Sequence, residues 1–311
     1  MTNHKKTAMH RFALLTVVLW ALGYVMTRVA VSYFTTEAMS FLRYLIAAIS
    51  LMIYAAIQKM HLPKLRDIPL FMIGGAVGFA VYVYCVNEGS RTLSASVVSF
   101  MISTSPVITA LIARFFLKES IGFIGWISII SAFWGVGIIT FFNGGFTLTS
   151  GILWICFAAI LISVYNIFQR RLLLRYSPLE ITTYCIVAGA LLLSVFAPPS
   201  FSQLVNAPLA GITAIIILGV FSAGIAYLCW AYALSKASHT SEVTNYMFLM
   251  PILTTFLGFF LIGEAPHISA YIGGILVLLG VILVNRRATP GCTRTENQHE
   301  RRSPGSGAYP D

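Results

Sequence analysis

The chain has 311 residues, of which 58% are hydrophobic and only 10% charged, with a formal net charge of +10. Soluble domains carry about 45–50% apolar and about 25% charged residues, so a soluble enzyme, a chain that is a disordered tail as a whole and a nucleic-acid binder are excluded before any motif is read. The surplus of Lys and Arg points instead to membrane topology, because basic residues gather on the cytoplasmic side of a bilayer.

A bilayer core of about 30 Å takes about 20 apolar residues in a helix. Ten such spans are predicted, at 12–31, 38–57, 68–87, 93–117, 121–142, 151–168, 179–197, 211–234, 243–262 and 268–285. The runs are continuously apolar, whereas barrel strands alternate. The fold class expected is therefore an all-α integral membrane protein. The first span follows Lys5, Lys6 and Arg11 but has no small-residue cleavage site after it, so it reads as a retained helix rather than a signal peptide. Residues 288–311 are polar and rich in Pro, Gly and Arg, and are expected to form a disordered cytoplasmic tail. Four of the five cysteines lie in apolar runs and none forms a CxxC pair, so small core residues are expected rather than disulfides or a metal site.

With the N-terminus inside, the inner segments hold Lys5, Lys6, Arg11, Lys59, Lys64, Arg66, Lys118, Arg170, Arg171, Arg175, Lys236, Arg286, Arg287, Arg294, Arg301 and Arg302, and the outer loops hold Arg91 alone. Both termini are expected in the cytoplasm. Arg28, Arg43 and Arg114 lie within spans but near an end, and long stems allow such heads to snorkel to the interface.

An offset of 145 places Gly74 on Gly219, Tyr82 on Tyr227, Ser96 on Ser241, Ser99 on Thr244, Pro106 on Pro251, Glu119 on Glu264 and Gly135 on Gly280. Residues 37–41 match 180–184 at an offset of 143. Each copy holds five spans, an odd number, so the second enters the membrane from the opposite side. The units are predicted at 12–142 and 150–285. Inverted repeats suit transport, because two copies that exchange conformations make the molecule face first one side and then the other.

The fourth span carries Ser96, Ser99, Ser103, Pro106 and Ala110 on one face, and the ninth carries Ser241, Thr244, Phe248, Pro251 and Thr255. Small hydroxyl residues either allow close packing or line a polar cavity. Pro106 and Pro251 free the carbonyls of Ile102 and Met247 and are expected to bend their helices as hinges. Tyr82 and Tyr227 lie on opposite sides of the midplane, and Tyr24 and Tyr165 stand in a similar relation, as gates or stacking surfaces do. Asn166 and Asn245 are amides in the inner half that need a partner or water. The expected substrate contacts are Tyr24, Tyr82, Ser99, Ser103, Tyr165, Asn166, Tyr227 and Asn245.

No Asp or Glu lies near the middle of a span, which leaves a proton antiporter without its buried acid. Glu119 and Glu264 are expected to bond backbone amides at the start of the next helix. The glycines of the fifth and tenth spans read as close-packing positions. The six histidines lie in loops, ends or tails, and no nucleophile–base pair, aspartate pair or HExxH motif is present, so no enzymatic activity, metal or cofactor is expected. The expected partners are a small-molecule substrate and membrane lipid. A homodimer through the fifth and tenth spans is compatible with the sequence, as is packing of those faces within one chain.

Pro106 to Glu119 with the Gly-rich helix after it, Pro251 to Glu264 with its own, Phe41-Leu42-Arg43-Tyr44, and Ala233-Leu234 together resemble the EamA family of the drug/metabolite transporter superfamily, over about residues 12–285. Trp20-Ala21-Leu22-Gly23 and Glu88-Gly89 depart from the family's usual Trp-Gly and Ala-Leu. The resemblance implies ten helices in two halves and bacterial inner-membrane export of amino acids and related metabolites, often with broad specificity.

Overall fold

A computed structural model describes residues 3–117, 123, 126–127, 130–131, 134–135, 138, 150–237, 243, 245–265, 268, 271–276 and 278–279, and among the described residues there is no strand. The helices are α1 (Asn3–Ala30), α2 (Thr36–Ile57), α3 (Leu65–Ser90), α4 (Ala95–Ile102), α5 (Ser105–Leu117), α6 (Ser150–Leu172), α7 (Pro178–Asn206), α8 (Leu209–Lys236) and α9 (Leu249–Ile262). Six of them, α1, α2, α3, α6, α7 and α8, are long and apolar enough to cross a bilayer. Most of the fifth and tenth predicted spans lies outside the described residues, as do Glu119, Ser241, Thr244 and the tail.

Local chemistry sets where helices start. Thr35 accepts from the Ala38 amide at 3.3 Å and Ser94 from the Val97 amide at 3.2 Å. Ser177 and Glu180 form a reciprocal capping box ahead of Pro178, whose missing N–H is harmless in the first turn.

The contacts fix the relative directions of the helices. The N-terminal half of α1 (Met9, Ala13) packs with the C-terminal half of α8 (Trp230, Ala233), and Gly211 at the start of α8 packs on Tyr33 and Phe34 beyond α1, so the two are antiparallel. Gly74 near the start of α3 meets Phe168 near the end of α6, and Gly89 at the end of α3 meets Ile155 and Gly151, so these are antiparallel as well. Arg28 near the end of α1 donates to the Ser90 carbonyl at the end of α3 at 3.0 Å, which makes α1 and α3 parallel. It follows that α1 and α6, the first helices of the two halves, run in opposite directions. The packing is also reciprocal: α3 lies against α6 and α7 as α8 lies against α1 and α2. In the fifth and tenth spans, Ser131 Oγ donates to the Leu276 carbonyl at 2.8 Å. These two residues are 145 apart, the repeat offset, as expected where a two-fold axis passes.

One end of the bundle collects Lys59, Lys64, Arg66, Arg170, Arg171, Arg175 and Lys236, beside the end of α2, the start of α3 and the ends of α6 and α8. There the Tyr176 hydroxyl donates to Asp67, a bond that pushes the phenol up to about 12, and the Tyr184 hydroxyl donates to the His61 carbonyl. The other end holds Arg28 and Arg91 with Glu37, Glu88 and Glu264. The basic end is termed inner and the other outer.

Two features recur in both halves. A π-helical segment occupies Ala76–Ala80 of α3 and Ile217–Ile225 of α8, which overlap at the repeat offset. The fourth span stops at Ser103–Thr104, and a 3-10 turn at Asn245–Phe248 precedes α9. The prolines thus do not kink continuous helices as expected. Pro106 is the second residue of α5 and Pro251 the third of α9, first-turn positions where a missing N–H removes no intrahelical bond. At the break in the fourth span the backbone closes 3-10-type turns, with the Thr104 amide on Met101 and the Val107 amide on Thr104.

Candidate functional site

A cavity of about 40 Å³ lies between the halves. It is lined by Trp20, Gly23, Tyr24 and Thr27 of α1, Arg43 of α2, Tyr82 and Val86 of α3, Ile102 of α4, Ile162, Tyr165, Asn166 and Gln169 of α6, Ser222, Tyr227 and Trp230 of α8, and Met247 and Met250 around the start of α9. Among the described residues no carboxylate is in this lining. At about 15 Å³ per water the space takes about three waters, so an amino-acid-sized solute requires the walls to move apart.

The irregular backbone beside the cavity places its aromatics. Each π-helical segment ends within two residues of a lining tyrosine, Tyr82 in one half and Tyr227 in the other. An inserted residue of this kind turns the later side chains about the helix axis, and such bulges concentrate at functional sites. Gly78 within the first segment leaves room for the Tyr165 ring, which a Cβ there would strike. A run of ring contacts crosses the interface. Phe79 meets Tyr44 at 5.5 Å, Tyr165 at 5.0 Å and Tyr227 at 5.0 Å, and Trp20 meets Tyr227 at 5.1 Å and Trp230 at 5.0 Å.

Arg43 is 7% exposed. Its Nη2 donates to Ser222 Oγ at 3.1 Å across the α2–α8 contact, and its Nε has no hydrogen-bond partner among the described residues. Tyr24, Tyr82 and Tyr227 line the same cavity, and the Tyr44 ring lies beside the guanidinium with its centroid 5.9 Å from Cζ. Gly23 makes room for the pair of Arg43 and Ser222, because a Cβ there would collide with the Ser222 hydroxyl. Gln169 is 1% exposed, and neither atom of its amide has a partner among the described residues. The same is true of Trp20 Nε1. The Tyr165 hydroxyl is likewise unmet; buried polar groups are ordinarily satisfied, so four residues with unmet groups around one cavity indicate a site that accepts something polar.

Of the residues singled out in the sequence, Tyr24, Tyr82, Tyr165, Asn166 and Tyr227 are brought together in this lining. Ser99 and Ser103 are not. Both are buried, and their hydroxyls donate to the carbonyls of Ser96 and Ser99 on their own helix, each at 2.8 Å. Ser96 itself meets Thr255 Oγ1 at 3.2 Å, so this stripe packs α4 against α9. The Asn245 side chain lies outside the described residues. Pro106 is half-buried and Pro251 buried, neither in the lining.

Arg43 does not snorkel to the interface; α2 presents it on the same buried face as Ser40 and Ala47, and its head turns into the cavity. Glu264 reaches across to the other half, and most of the start of the next helix in the chain lies outside the described residues. Gly263, in the left-handed region at φ +66°, ends α9 and turns the chain so that Glu264 accepts from the Ala95 amide at 3.3 Å, at the start of α4 in the other half. Arg28 stays at the outer end, as expected, and the Arg114 side chain lies outside the described residues. Arg43, Gln169, Trp20, Trp230 and Ser222 were not among the expected contacts.

A model of the EamA-like transporter family matches this chain twice, at residues 8–141 and 149–286. The chain belongs to the EamA-like transporter family. It is similar to the uncharacterized transporter YdfC of Bacillus subtilis, 34% identical over 86% of this chain and 87% of the relative. It is also similar to a protein of Streptantibioticus cattleyicolor named "Probable terminal-alkyne amino-acid exporter", 30% identical over 88% of this chain and 92% of the relative. A solved crystal structure covers 89% of this chain and 97% of its own with a TM-score of 0.62; at 18% identity this is a likeness of fold. As an EamA-like protein the chain is a multi-pass membrane protein of a transporter family, which implies a small-molecule substrate and a lipid environment.

Proposed function

We propose that this EamA-like protein is an inner-membrane secondary transporter that exports amino acids or similar small amphipathic metabolites by alternating access, with the basic end of the bundle and both termini in the cytoplasm and ten spans in two inverted halves. The observation that carries this reading is the cavity on the boundary between antiparallel halves, lined by repeat-related Tyr82 and Tyr227 and by unmet polar groups. The exporter name of the Streptantibioticus relative agrees with it.

The packing of the fourth and ninth spans supports an inward-facing state. At the outer end α4 and α9 are joined by Glu264 on the Ala95 amide and by Thr255 on Ser96. Beyond the break at Ser103–Thr104, α5 leaves α9 and leans on α6, where Ser163 Oγ donates to the Ser105 carbonyl at 2.9 Å. The start of the ninth span leans on α1, with Tyr246 against His10 and Met247 in the cluster of Met9 and Ala13. In the outward-facing state the two halves exchange these arrangements, and the breaks before Pro106 and Pro251 are the hinges.

The test is counterflow in proteoliposomes with a panel of radiolabelled amino acids and metabolites, with and without a pH gradient. Saturable exchange of at least one neutral amino acid is expected, and absence of exchange for the whole panel contradicts the reading. Flux of many unrelated solutes at similar rates would favour broad-specificity efflux instead. Tyr82→Ala and Asn245→Ala should each lower flux about fivefold or more while expression persists, since an aromatic or polar contact in a buried site contributes at least about 1 kcal/mol; unchanged flux in both removes these residues from the site.

A further inference from the structure

Arg43 has no counterpart in the other half. At the corresponding turn α7 carries Cys185 and Ile186, both fully buried. The residue matching Ser222 at the repeat offset is Val77. The two halves are otherwise packed reciprocally, and where α3 lies closest to α7, at Gly74 and Gly75, it meets Cys185, Ala188 and Gly189. The fold therefore does not need Arg43 to hold α2 against α8. A structural requirement would be met in both copies, and a residue present in one copy serves something that is not two-fold symmetric.

A buried guanidinium without a counter-charge is unfavourable in a bilayer and marks a substrate or ion path. Among the described residues no carboxylate pairs with Arg43, and none lines the cavity. The groups that line the cavity with it, the phenols of Tyr24, Tyr82 and Tyr227 and the Ser222 hydroxyl, are able to donate to an anion together with the guanidinium. Nothing in the lining offers a matching anionic partner to an ammonium group. We infer that Arg43, with Ser222, is the anchor for a carboxylate of the transported solute, so that this protein selects solutes by their carboxylate and not by their amine. Guanidinium and carboxylate meet through two parallel hydrogen bonds, and the aromatic faces of Trp20 and Tyr227 then take the apolar part. This inference rests on the transport reading only for the word transported; binding of the carboxylate is a separate property with a separate test.

The experiment is ligand-dependent thermal stabilisation of the purified full-length protein in detergent. The probes are the twenty standard amino acids, their deaminated acids such as 3-phenylpropanoate, and the matching amines and amides such as phenethylamine and phenylalaninamide, with sodium chloride as control. Acids with and without the amine should raise Tm, and amines, amides and chloride should not. Arg43→Gln should abolish the shift, and Arg43→Lys should weaken the apparent affinity about tenfold by losing the two-pronged geometry. The double variant Arg43→Ile with Ser222→Val copies the apolar solution of the other half. It should fold with an unliganded Tm no lower than that of the native chain, yet show no shift with any acid. The inference is overturned by stabilisation from amines or amides equal to that from acids, by an equal effect of chloride, by a shift that survives Arg43→Gln, by a double variant that does not fold, or by no shift from any acid. Stabilisation by acids through Arg43 without counterflow of any of them would leave the anchor standing and overturn export.

Discussion

Cysteines at positions 96 and 255 will bridge α4 to α9 and stop transport completely. Ser96 Oγ and Thr255 Oγ1 are 3.2 Å apart at the outer end, and both positions lie within regular helix. A disulfide needs Cβ atoms about 3.5–4.5 Å apart, a distance that these two side chains are placed to reach with a small adjustment. Outward opening requires α4 and α9 to separate at this level, so a covalent link holds the molecule with its outer end shut. The measurement is flux in a chain whose native cysteines are replaced, before and after oxidation and again after reduction. Oxidation should reduce flux of Ser96→Cys with Thr255→Cys to the level of empty liposomes, reduction should restore it, and either cysteine alone should have no such effect. Full flux through the bridged protein would show that these helices do not part during transport.

Gly75→Ala should be the most damaging glycine-to-alanine change among the described glycines. A Cβ at this position would lie 2.7 Å from the Cys185 carbonyl oxygen, 2.7 Å from the Gly189 amide nitrogen and 2.7 Å from the Ala188 Cβ. The first two are backbone atoms of α7 and cannot rotate aside, so α3 and α7 must separate along their shared face. Overpacking of this kind costs about 1–3 kcal/mol and more where backbone must shift. Gly224→Ala is the control, because its Cβ would meet only the Gly219 carbonyl oxygen, at an unstrained 3.4 Å. Thermal unfolding in detergent should show a clear loss of Tm for Gly75→Ala and little change for Gly224→Ala. Equal behaviour of the two would mean that α3 and α7 are not in close backbone contact at Gly75.

Much of this architecture was readable along the chain because a bilayer narrows the choices. An apolar run of about twenty residues has one stable solution there, and α2, predicted at 38–57, runs from Thr36 to Ile57. The offset of 145 was legible from Tyr82, Pro106 and their partners, and the reciprocal packing of α3 and α8 follows it. Tyr24, Tyr82, Tyr165, Asn166 and Tyr227 could be gathered from depth and polarity alone. Depth alone misplaced Arg43: seven residues into α2 it lies close enough to an end to snorkel, but its helical face points it inward, among Ser40, Tyr44 and Ala47. The offset of 143 in the second helix carried the missing signal, since a charged residue that aligns with Ile186 is one the fold did not ask for. Gln169 lies one helical turn beyond Tyr165 and was hidden by the basic pair Arg170 and Arg171 beside it. The serine stripe was ambiguous for a physical reason: hydroxyls that bond back to their own helix look the same in sequence as hydroxyls that face water. The π-helical segments left no mark in composition, and only the three-dimensional chain reveals that both halves carry one.

The antiparallel relation of the two halves underlies the cavity, the proposed hinges and the export reading alike, and side-specific labelling tests it most directly. Single cysteines replace Ser120 and, separately, Ala265, two positions 145 residues apart in the repeat, in a chain without native cysteines that retains flux. A membrane-impermeant maleimide applied to intact cells and to inverted vesicles should label Ala265→Cys from outside and Ser120→Cys from the cytoplasmic side. Labelling of both from the same side would contradict the inverted arrangement, and with it the shared cavity between opposed halves.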